Sequence, residues 1–289
     1  MKFSMLSLCT RVLVVSVLVV CGIALSESAL AQMGPQSAVG STGNSQQNLN
    51  SQQWILRMGD VQVDSARINS KEMSAYKAFY AAQDLDQRIH LGQSFVQKFP
   101  SSVLLGAVHA EMVRMYFTKQ DWANFHASAD KALDANPDNV DVLTTVGWVI
   151  PHAYNPSDPN GKNDLDRAER YEKHAIELIG KMSKPKGITD AQFDSFKAQE
   201  LTEAHSGLGL VYFRRQDFDE SVKELQQATQ TASAPDPADT YALGAGLFNL
   251  KRYNEAVVAF AKCAEAPNDL QEVCKQKLDD AKKAAGQLK

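Results

Sequence analysis

The feature that most limits the fold of this chain is an internal repeat with a period of about 35 residues. Residues 208–212 (LGLVY) align with residues 243–247 (LGAGL), 35 positions later, and Phe218 aligns with Tyr253 at the same offset. Residues 146–150 (VGWVI) occupy the equivalent place further upstream. A unit of this length cannot bury its apolar face alone, so the repeat predicts a stack of similar units that share one core.

The spacing of apolar residues within each unit predicts helices, and no stretch of the chain shows sustained strand alternation. Asp121 and Asp217 are expected N-caps, and Asp164 is expected to precede the first turn of another helix. The predicted helices cover residues 71–82, 84–98, 102–118, 121–135, 139–150, 164–180, 190–214, 217–231, 237–249, 252–265 and 269–286. The last of these lacks the repeat motif and is highly charged, as expected for the polar cap of a repeat array.

The glycine of the L-G-x-x-Y motif stands inside a predicted helix, where it costs about 1 kcal/mol relative to alanine. Gly147, Gly209 and Gly244 occupy this level in three units, whereas Val113 occupies it in an earlier one. We expect the absence of a side chain to let the second helix of the unit approach closely.

The period, the L-G-x-x-Y motif and the pattern Ala256-x-x-x-Phe260 resemble the tetratricopeptide-repeat family. The resemblance extends from about Lys71 to the end of the chain. It implies an all-α fold, a tetratricopeptide-like α-solenoid of about five helical hairpins with a C-terminal capping helix. With its export signal and polar lead segment, the chain also resembles a group of exported bacterial tetratricopeptide proteins that has no established activity.

The first residues have the pattern of a secretory signal peptide. Lys2 and Arg11 give a basic start and precede an apolar run, residues 12–25, that is too short to span a bilayer comfortably. Residues 29–31 (ALA) match a small-residue cleavage site. We expect cleavage before Gln32, a periplasmic or secreted location, and no stable membrane span afterwards. An uncleaved membrane anchor is the alternative.

The remaining chain is expected to divide into four segments after the signal peptide at residues 1–31. Residues 32–53 contain almost no large apolar side chains and are predicted to be a disordered low-complexity tether. Residues 54–70 form a lead-in, residues 71–268 the helical repeats, and residues 269–289 the capping helix.

The chain contains four cysteines, of which Cys9 and Cys21 would be removed with the signal peptide. An oxidising compartment favours a disulfide between the remaining pair, Cys263 and Cys274. Two buried free thiols are the alternative.

The composition excludes several classes of function. Removal of a signal segment with a net charge of +1 takes the chain from −4 to −5, which argues against a nucleic-acid partner. No zinc spacing, nucleophile elbow or glycine-rich phosphate loop is present. No metal, cofactor or catalytic residue is therefore predicted, and the protein is not expected to be an enzyme.

The segment 151–163 is longer than a hairpin turn requires; it contains Asp158 and Asn160, and Asp164 follows it directly. It lacks the spacing of a calcium-binding loop, so we interpret it as a solvated loop, with contact to a partner as a separate possibility. His109 and His205 are expected to pack in the core or between helices.

In the tetratricopeptide family the first helix of each unit lines a concave surface. The resemblance therefore implies a groove that binds a protein or peptide, and the alternative for each residue is simple packing against the next helix. The side chains placed on or beside this groove are Tyr80, Arg114, Phe117, Trp148, Phe213, Arg214, Tyr241 and Phe248.

The predicted function is a non-catalytic exported scaffold with a protein or peptide in this groove. The alternative is a cell-envelope factor that binds glycan or assists outer-membrane or envelope assembly. An enzyme with an unrecognised site is a third possibility.

Overall fold

The computed structural model describes residues 68–288, except residues 233 and 266. The predicted signal peptide at 1–31, the tether at 32–53 and most of the lead-in at 54–70 lie outside the described residues.

The described residues form eleven α-helices and no strand, which confirms the predicted all-α class. The helices are α1 (Ser70–Ala81), α2 (Leu85–Lys98), α3 (Leu105–Lys119), α4 (Trp122–Ala135), α5 (Val140–His152), α6 (Gly161–Lys181), α7 (Asp190–Arg214), α8 (Phe218–Thr231), α9 (Pro237–Asn249), α10 (Tyr253–Glu265) and α11 (Gln271–Ala284).

Local side-chain chemistry explains several helix starts. The Asp121 carboxylate accepts a hydrogen bond from the Asn124 backbone N–H at 3.2 Å, as expected for an N-cap. Thr189 and Gln192 form a reciprocal capping box at the start of α7. Asp217 occupies the N-cap position of α8, but its side chain makes no capping hydrogen bond.

Two predicted boundaries around the inserted segment are wrong. Helix α5 continues through Pro151 to His152, because a proline in the last turn removes only one backbone hydrogen bond, the one to the carbonyl of Gly147. Helix α6 begins at Gly161, so Asp164 lies within its first turn instead of preceding it. The irregular segment is therefore shorter than the sequence predicts.

The helices pair in chain order. The five hairpins are α1 with α2, α3 with α4, α5 with α6, α7 with α8, and α9 with α10, and α11 packs on α10. The first helices of successive hairpins also contact one another, α3 with α5, α5 with α7, and α7 with α9. This arrangement confirms the predicted array of five hairpins with a capping helix.

The core consists mainly of two apolar clusters. One is built largely from the first three hairpins and includes Phe79, Phe95 and Phe125. The other is built from the last two hairpins and α11 and includes Tyr241 and Phe260. Where α5, α6 and α7 meet between these clusters, charged and hydroxyl side chains are buried as well.

Among the helices that the structure describes, none combines the length and the apolar character that crossing a bilayer requires.

A disulfide between Cys263 of α10 and Cys274 of α11 joins the capping helix to the last hairpin. The two Cα atoms lie 5.8 Å apart, and both side chains are buried. A Cα separation of this size is usual for a disulfide.

Reduction of this disulfide is expected to lower the free energy of unfolding by about 3 kcal/mol, because the oxidised pair restricts the unfolded chain. Urea unfolding of the oxidised and reduced protein at equal pH measures the difference. Thiol titration of the denatured, unreduced protein provides the control, and two reactive thiols would contradict the assignment.

Candidate functional site

The motif glycines of the fourth and fifth hairpins lie against large apolar side chains of the second helix. A Cβ atom on Gly209 would lie 2.6 Å from Leu225 Cγ, and one on Gly244 would lie 2.8 Å from Phe260 Cδ1. Both partners stand 16 positions after their glycine. The glycine thus permits the close approach of the two helices that the sequence predicts.

The third hairpin departs from this rule. The corresponding partner of Gly147 is Glu172 of α6, and a Cβ on Gly147 would lie 2.5 Å from the Glu172 Cδ atom. A Cβ on Gly207 of α7 would overlap Glu172 Oε1 from the opposite direction. The Glu172 carboxyl group therefore occupies the position opposite the motif glycine, which we call the slot. Leu225 and Phe260 occupy the slot in the next two units.

The Glu172 side chain is completely buried, with 0 % of its surface exposed. Among the described residues, neither carboxyl oxygen has a hydrogen-bond partner. Burial raises the pKa of Glu172 well above its ordinary value, and the nearby Glu203 and Glu200 carboxylates raise it further. A buried carboxyl group without a hydrogen-bond partner is disfavoured as an ion, so the folded chain favours the protonated form of Glu172.

Glu200, seven residues before Gly207 on α7, is a second buried acid. Its Oε2 atom accepts a hydrogen bond from Thr144 Oγ1 of α5 at 2.7 Å. Burial raises the pKa of Glu200 to about 8, and the carboxylates of Glu203 and Asp141 contribute to the increase. The contact with Thr144 links the first helices of the third and fourth hairpins.

A bidentate ion pair links the second and third hairpins. Arg114 Nε of α3 donates to Asp141 Oδ1 of α5 at 2.9 Å and to Oδ2 at 3.1 Å. Burial alone would lower the pKa of the Arg114 guanidinium, but the Asp141 carboxylate more than compensates and raises it. Both carboxylate oxygens of Asp141 thus have a partner, as a mostly buried ion pair requires.

A further chain of hydrogen bonds links the third, fourth and fifth hairpins. Trp148 Nε1 of α5 donates to Ser206 Oγ of α7 at 3.1 Å, and Ser206 donates to Asp239 Oδ1 of α9 at 2.7 Å. Burial raises the pKa of the Asp239 carboxyl well above its usual range, and the Asp236 carboxylate adds to this effect.

These contacts form a continuous set across the first helices α3, α5, α7 and α9, which we call the polar band. Its members are Arg114, Asp141, Thr144, Trp148, Glu200, Ser206 and Asp239.

The structure places the eight predicted groove residues in two groups. Tyr80, Arg114, Arg214 and Phe248 are half-buried. Phe117, Trp148, Phe213 and Tyr241 are buried. The expectation that exposed aromatic rings line the groove therefore needs correction for this second group. A binding role for the first group stays a prediction.

Each buried aromatic ring packs against neighbouring rings. Phe117 contacts Trp122, Phe125 and Trp148. Trp148, one of the predicted groove residues, packs on Phe117 and on His152. Simple packing, the alternative for each residue, therefore accounts for these rings.

Phe213 and Tyr241 pack in the same manner on the following hairpin helices. Phe213 contacts Phe218 at the start of α8. Tyr241 packs on Phe260 of α10 and has no exposed surface for a partner.

The half-buried residues have partners within the chain as well. Arg214 Nε donates to the Pro151 carbonyl at 3.0 Å, and its guanidinium lies 5.6 Å from the centre of the Tyr154 ring. The Tyr80 hydroxyl donates to the Ala107 carbonyl at 3.3 Å. Phe248 packs on the ring of Tyr253, whose centre is 5.2 Å away.

The inserted segment is held by turn hydrogen bonds. Asn155 Oδ1 accepts from the Ser157 N–H, and Asp158 Oδ1 accepts from the Asn160 N–H. Between this segment and α4 lies a cavity of about 240 Å³ beside Trp122. In the part of the chain that the structure describes, no His, Cys, Asp and Glu side chains are grouped so as to hold a metal ion.

The two histidines singled out from the sequence lie at helix contacts. His205 Nδ1 lies 2.7 Å from Glu224 Oε2 of α8. His109 is half-buried, and burial lowers its pKa.

Sequence reasoning missed five members of the polar band, namely Asp141, Thr144, Glu200, Ser206 and Asp239. It also missed Glu172. Polar and acidic side chains on a helix usually face water, so composition gives no signal for their burial. One signal was available for Glu172, because an alignment of the third unit with the fourth and fifth places it opposite a motif glycine. The alignment shows this only when a gap is introduced for the inserted segment.

No protein-family model matches the sequence, and no curated protein matches it significantly. Two solved structures resemble the fold. TTC0263, described as a thermophilic TPR protein of Thermus thermophilus, has 18 % identity and a TM-score of 0.45, with coverage of 73 % of this chain and 98 % of that one. Yeast Tom70 has 16 % identity and a TM-score of 0.44, with coverage of 84 % of this chain and 45 % of that one.

The match to Tom70 thus spans less than half the length of that protein. At these TM-scores neither likeness carries an argument, and the fold of this chain follows from its own helix packing.

Proposed function

We propose that this chain is a non-catalytic scaffold that binds a protein or peptide partner along the face formed by α3, α5, α7 and α9. The observation that carries the proposal is the polar band, which joins these four helices across their shared face. Arrays of helical repeats commonly use an extended surface of this kind for binding. The non-catalytic part of the proposal rests on the sequence, in which we recognise no catalytic motif.

The polar band supplies the kinds of groups that interfaces use. Its half-buried member Arg114 is of a residue type that is enriched among the side chains that dominate binding energy, whereas Trp148 is buried and packs within the chain. The half-buried Glu203 of α7 lies close enough to raise the pKa values of Arg114 and Glu200. A partner on this face would meet the half-buried Arg114 and Glu203, because the other members of the polar band are buried.

The proposed site of action is the periplasm or the extracellular medium. This part of the proposal rests on the sequence of residues 1–31, with its basic start, short apolar run and small-residue cleavage site. The disulfide between Cys263 and Cys274 supports it, because disulfides persist in oxidising compartments.

A charge reversal on this face tests the proposal. Glu203→Lys is expected to reduce the capture of partner from an envelope extract at least tenfold, equivalent to about 1.4 kcal/mol. The substitution places a cation beside several carboxylates, so the fold should tolerate it. The measurement is quantitative pull-down with immobilised chain, in parallel with thermal melting.

Glu177→Lys is the matched control, because Glu177 is an exposed glutamate on α6, the second helix of the third hairpin. The control should capture partner as the unchanged chain does. Equal capture by both variants, with melting temperatures unchanged, would contradict the proposed binding face.

A further inference from the structure

We propose that the contact of α5, α6 and α7 around Glu172 is a proton-dependent joint. It is closed while Glu172 carries its proton, and it loosens when Glu172 ionises. We call this contact the carboxyl joint. The inference concerns the chain alone and stands independently of any partner.

The carboxyl joint leaves no room for hydration of an ionised group. Gly147 and Gly207 contact the Glu172 carboxyl from two helices, and a single added Cβ on either glycine would collide with it. A Cβ on Gly207 would also lie 3.1 Å from the Trp148 Cα atom, so the backbones of α5 and α7 are themselves close. Water could reach an ionised Glu172 only if these helices moved apart.

The neighbouring joints contain no comparable group. Leu225 fills the slot opposite Gly209, and Phe260 fills the slot opposite Gly244. Both are fully or almost fully buried apolar side chains whose packing does not depend on pH. The third hairpin is therefore the unit whose slot contains a titratable group.

The charged groups that face Glu172 from the other helices are mainly acidic. Helix α7 contributes Glu200 and Glu203, both of which raise the pKa of Glu172. On helix α5, Asp141 is paired with Arg114 of α3 and acts on the pKa of Glu200. An ionised Glu172 would thus be repelled by the Glu203 carboxylate, and among the described residues no cation contributes a compensating effect.

The charged neighbours of Glu172 along α6 have other partners. Glu169 accepts from Arg215 and from Lys173, and Lys173 Nζ lies 5.7 Å from the centre of the Tyr212 ring. These residues form their own group beside the end of α7. They provide no counter-ion within the carboxyl joint.

The histidines of the adjoining helices are also directed elsewhere. His152 Nδ1 of α5 lies 2.7 Å from the Trp148 carbonyl, and His205 of α7 contacts Glu224. Neither contributes to the shifted pKa of Glu172.

The sign of the pH effect follows from the raised pKa. Below the ordinary glutamate value of 4.5, Glu172 is protonated whether the joint is open or closed, so opening is independent of pH. Above that value the open form releases the proton while the closed form retains it. Opening therefore becomes more favourable as the pH rises, until the pH reaches the pKa of the closed form.

Opening of the joint would also disturb the polar band. The hydrogen bonds from Thr144 to Glu200 and from Trp148 to Ser206 both cross from α5 to α7. Separation of the helices would stretch both. A change of pH could in this way alter the shape of the face on which the proposed function depends.

Hydrogen–deuterium exchange of the full chain from pH 5 to pH 8, corrected for intrinsic exchange rates, tests the inference. Opening of segments Val140–His152 and Asp190–Arg214 is expected to increase more steeply with pH in the unchanged chain than in Glu172→Gln. The difference should be about tenfold per pH unit, the effect of one released proton. Segment Tyr253–Glu265 serves as the internal reference.

Glu177→Gln is the control for removal of an exposed glutamate, and it should leave the pH dependence unchanged. If Glu172→Gln folds poorly, Glu172→Leu provides the same comparison, since leucine fills the equivalent slot in the fourth hairpin. Equal pH dependence in the unchanged chain and the position-172 variant would overturn the inference. So would opening that increases equally in the reference segment. No partner is used, so failure here is distinct from failure of the proposed function.

Discussion

At pH 7 the free energy of unfolding of the variant Glu172→Leu is expected to be about 3 kcal/mol higher than that of the unchanged chain. A buried carboxyl group without a hydrogen-bond partner carries a desolvation cost of about 1 to 3 kcal/mol, which an apolar side chain of similar volume does not carry. Leu225 shows that leucine fits opposite a motif glycine in this array. Urea unfolding followed by circular dichroism measures the difference.

The gain should shrink as the pH falls. Ionisation of Glu172 favours the unfolded chain only at pH values where the residue ionises in the unfolded chain and stays protonated in the folded chain. Because the pKa is raised in the folded chain, this range begins above the ordinary value of 4.5. The exposed-site variant Glu177→Leu should change stability by no more than about 0.5 kcal/mol at any pH. A loss of stability in Glu172→Leu at pH 7 would show that the carboxyl group makes favourable contacts.

The variant Gly209→Ala is expected to lower the free energy of unfolding by about 2 kcal/mol, although alanine favours the helix by about 1 kcal/mol. The added Cβ would lie 2.6 Å from Leu225 Cγ and 3.1 Å from the Leu225 backbone nitrogen, so α7 and α8 must move apart. Chemical denaturation of the purified chain measures the effect.

Gly180→Ala is the matched control. A Cβ on Gly180, in the last turn of α6, would meet no atom within 4 Å apart from its chain neighbours and the nearby backbone of its own helix. This variant should gain up to about 1 kcal/mol from helix propensity alone. Equal effects in the two variants would mean that the motif glycine has no role in helix packing.

The sequence predicts the helical architecture well because the repeat constrains each unit several times. Helix α7 begins and ends at the predicted residues, Asp190 and Arg214, where a capping box marks the start. The larger boundary errors are at the start of α3, which begins at Leu105 and not at residue 102, and near the inserted segment, where no repeat spacing applies. There Pro151 continues a helix, and Gly161 begins one without a side-chain cap.

The candidate site was much less predictable. Arg114 and Trp148 were selected from the sequence as groove residues, but their partners Asp141 and Ser206 were not. These partners lie 27 and 58 positions away along the chain, and nothing local distinguishes them from solvated polar residues. Only the packing of the first helices side by side brings them together.

Aromatic content also misled the prediction of exposed groove residues. Large aromatic rings fit both a binding surface and the space between hairpins, and the sequence does not distinguish the two. Tyr241 illustrates this, because its ring fills the space next to Phe260 and leaves no surface exposed. The same ambiguity applies to Phe117 and Phe213.

The most direct test of the proposed binding face is site-specific photo-crosslinking. Benzoyl-phenylalanine is introduced in place of Tyr80 on α1, Phe248 on α9 or, as a control, Val258 on α10. Tyr80 borders the proposed face, because its hydroxyl donates to the Ala107 carbonyl of α3, and Phe248 lies on α9. Both are half-buried, whereas Val258 lies on a second helix with 69 % of its surface exposed. Each purified chain is irradiated in envelope extract, and the adducts are identified by mass spectrometry.

The account predicts that one protein or peptide is crosslinked from positions 80 and 248 and that position 258 yields no such adduct. Glu203→Lys in the same chains should abolish the adduct. An adduct from position 258 alone, or adducts from all three positions that are insensitive to Glu203→Lys, would contradict the assignment of the binding face to α3, α5, α7 and α9.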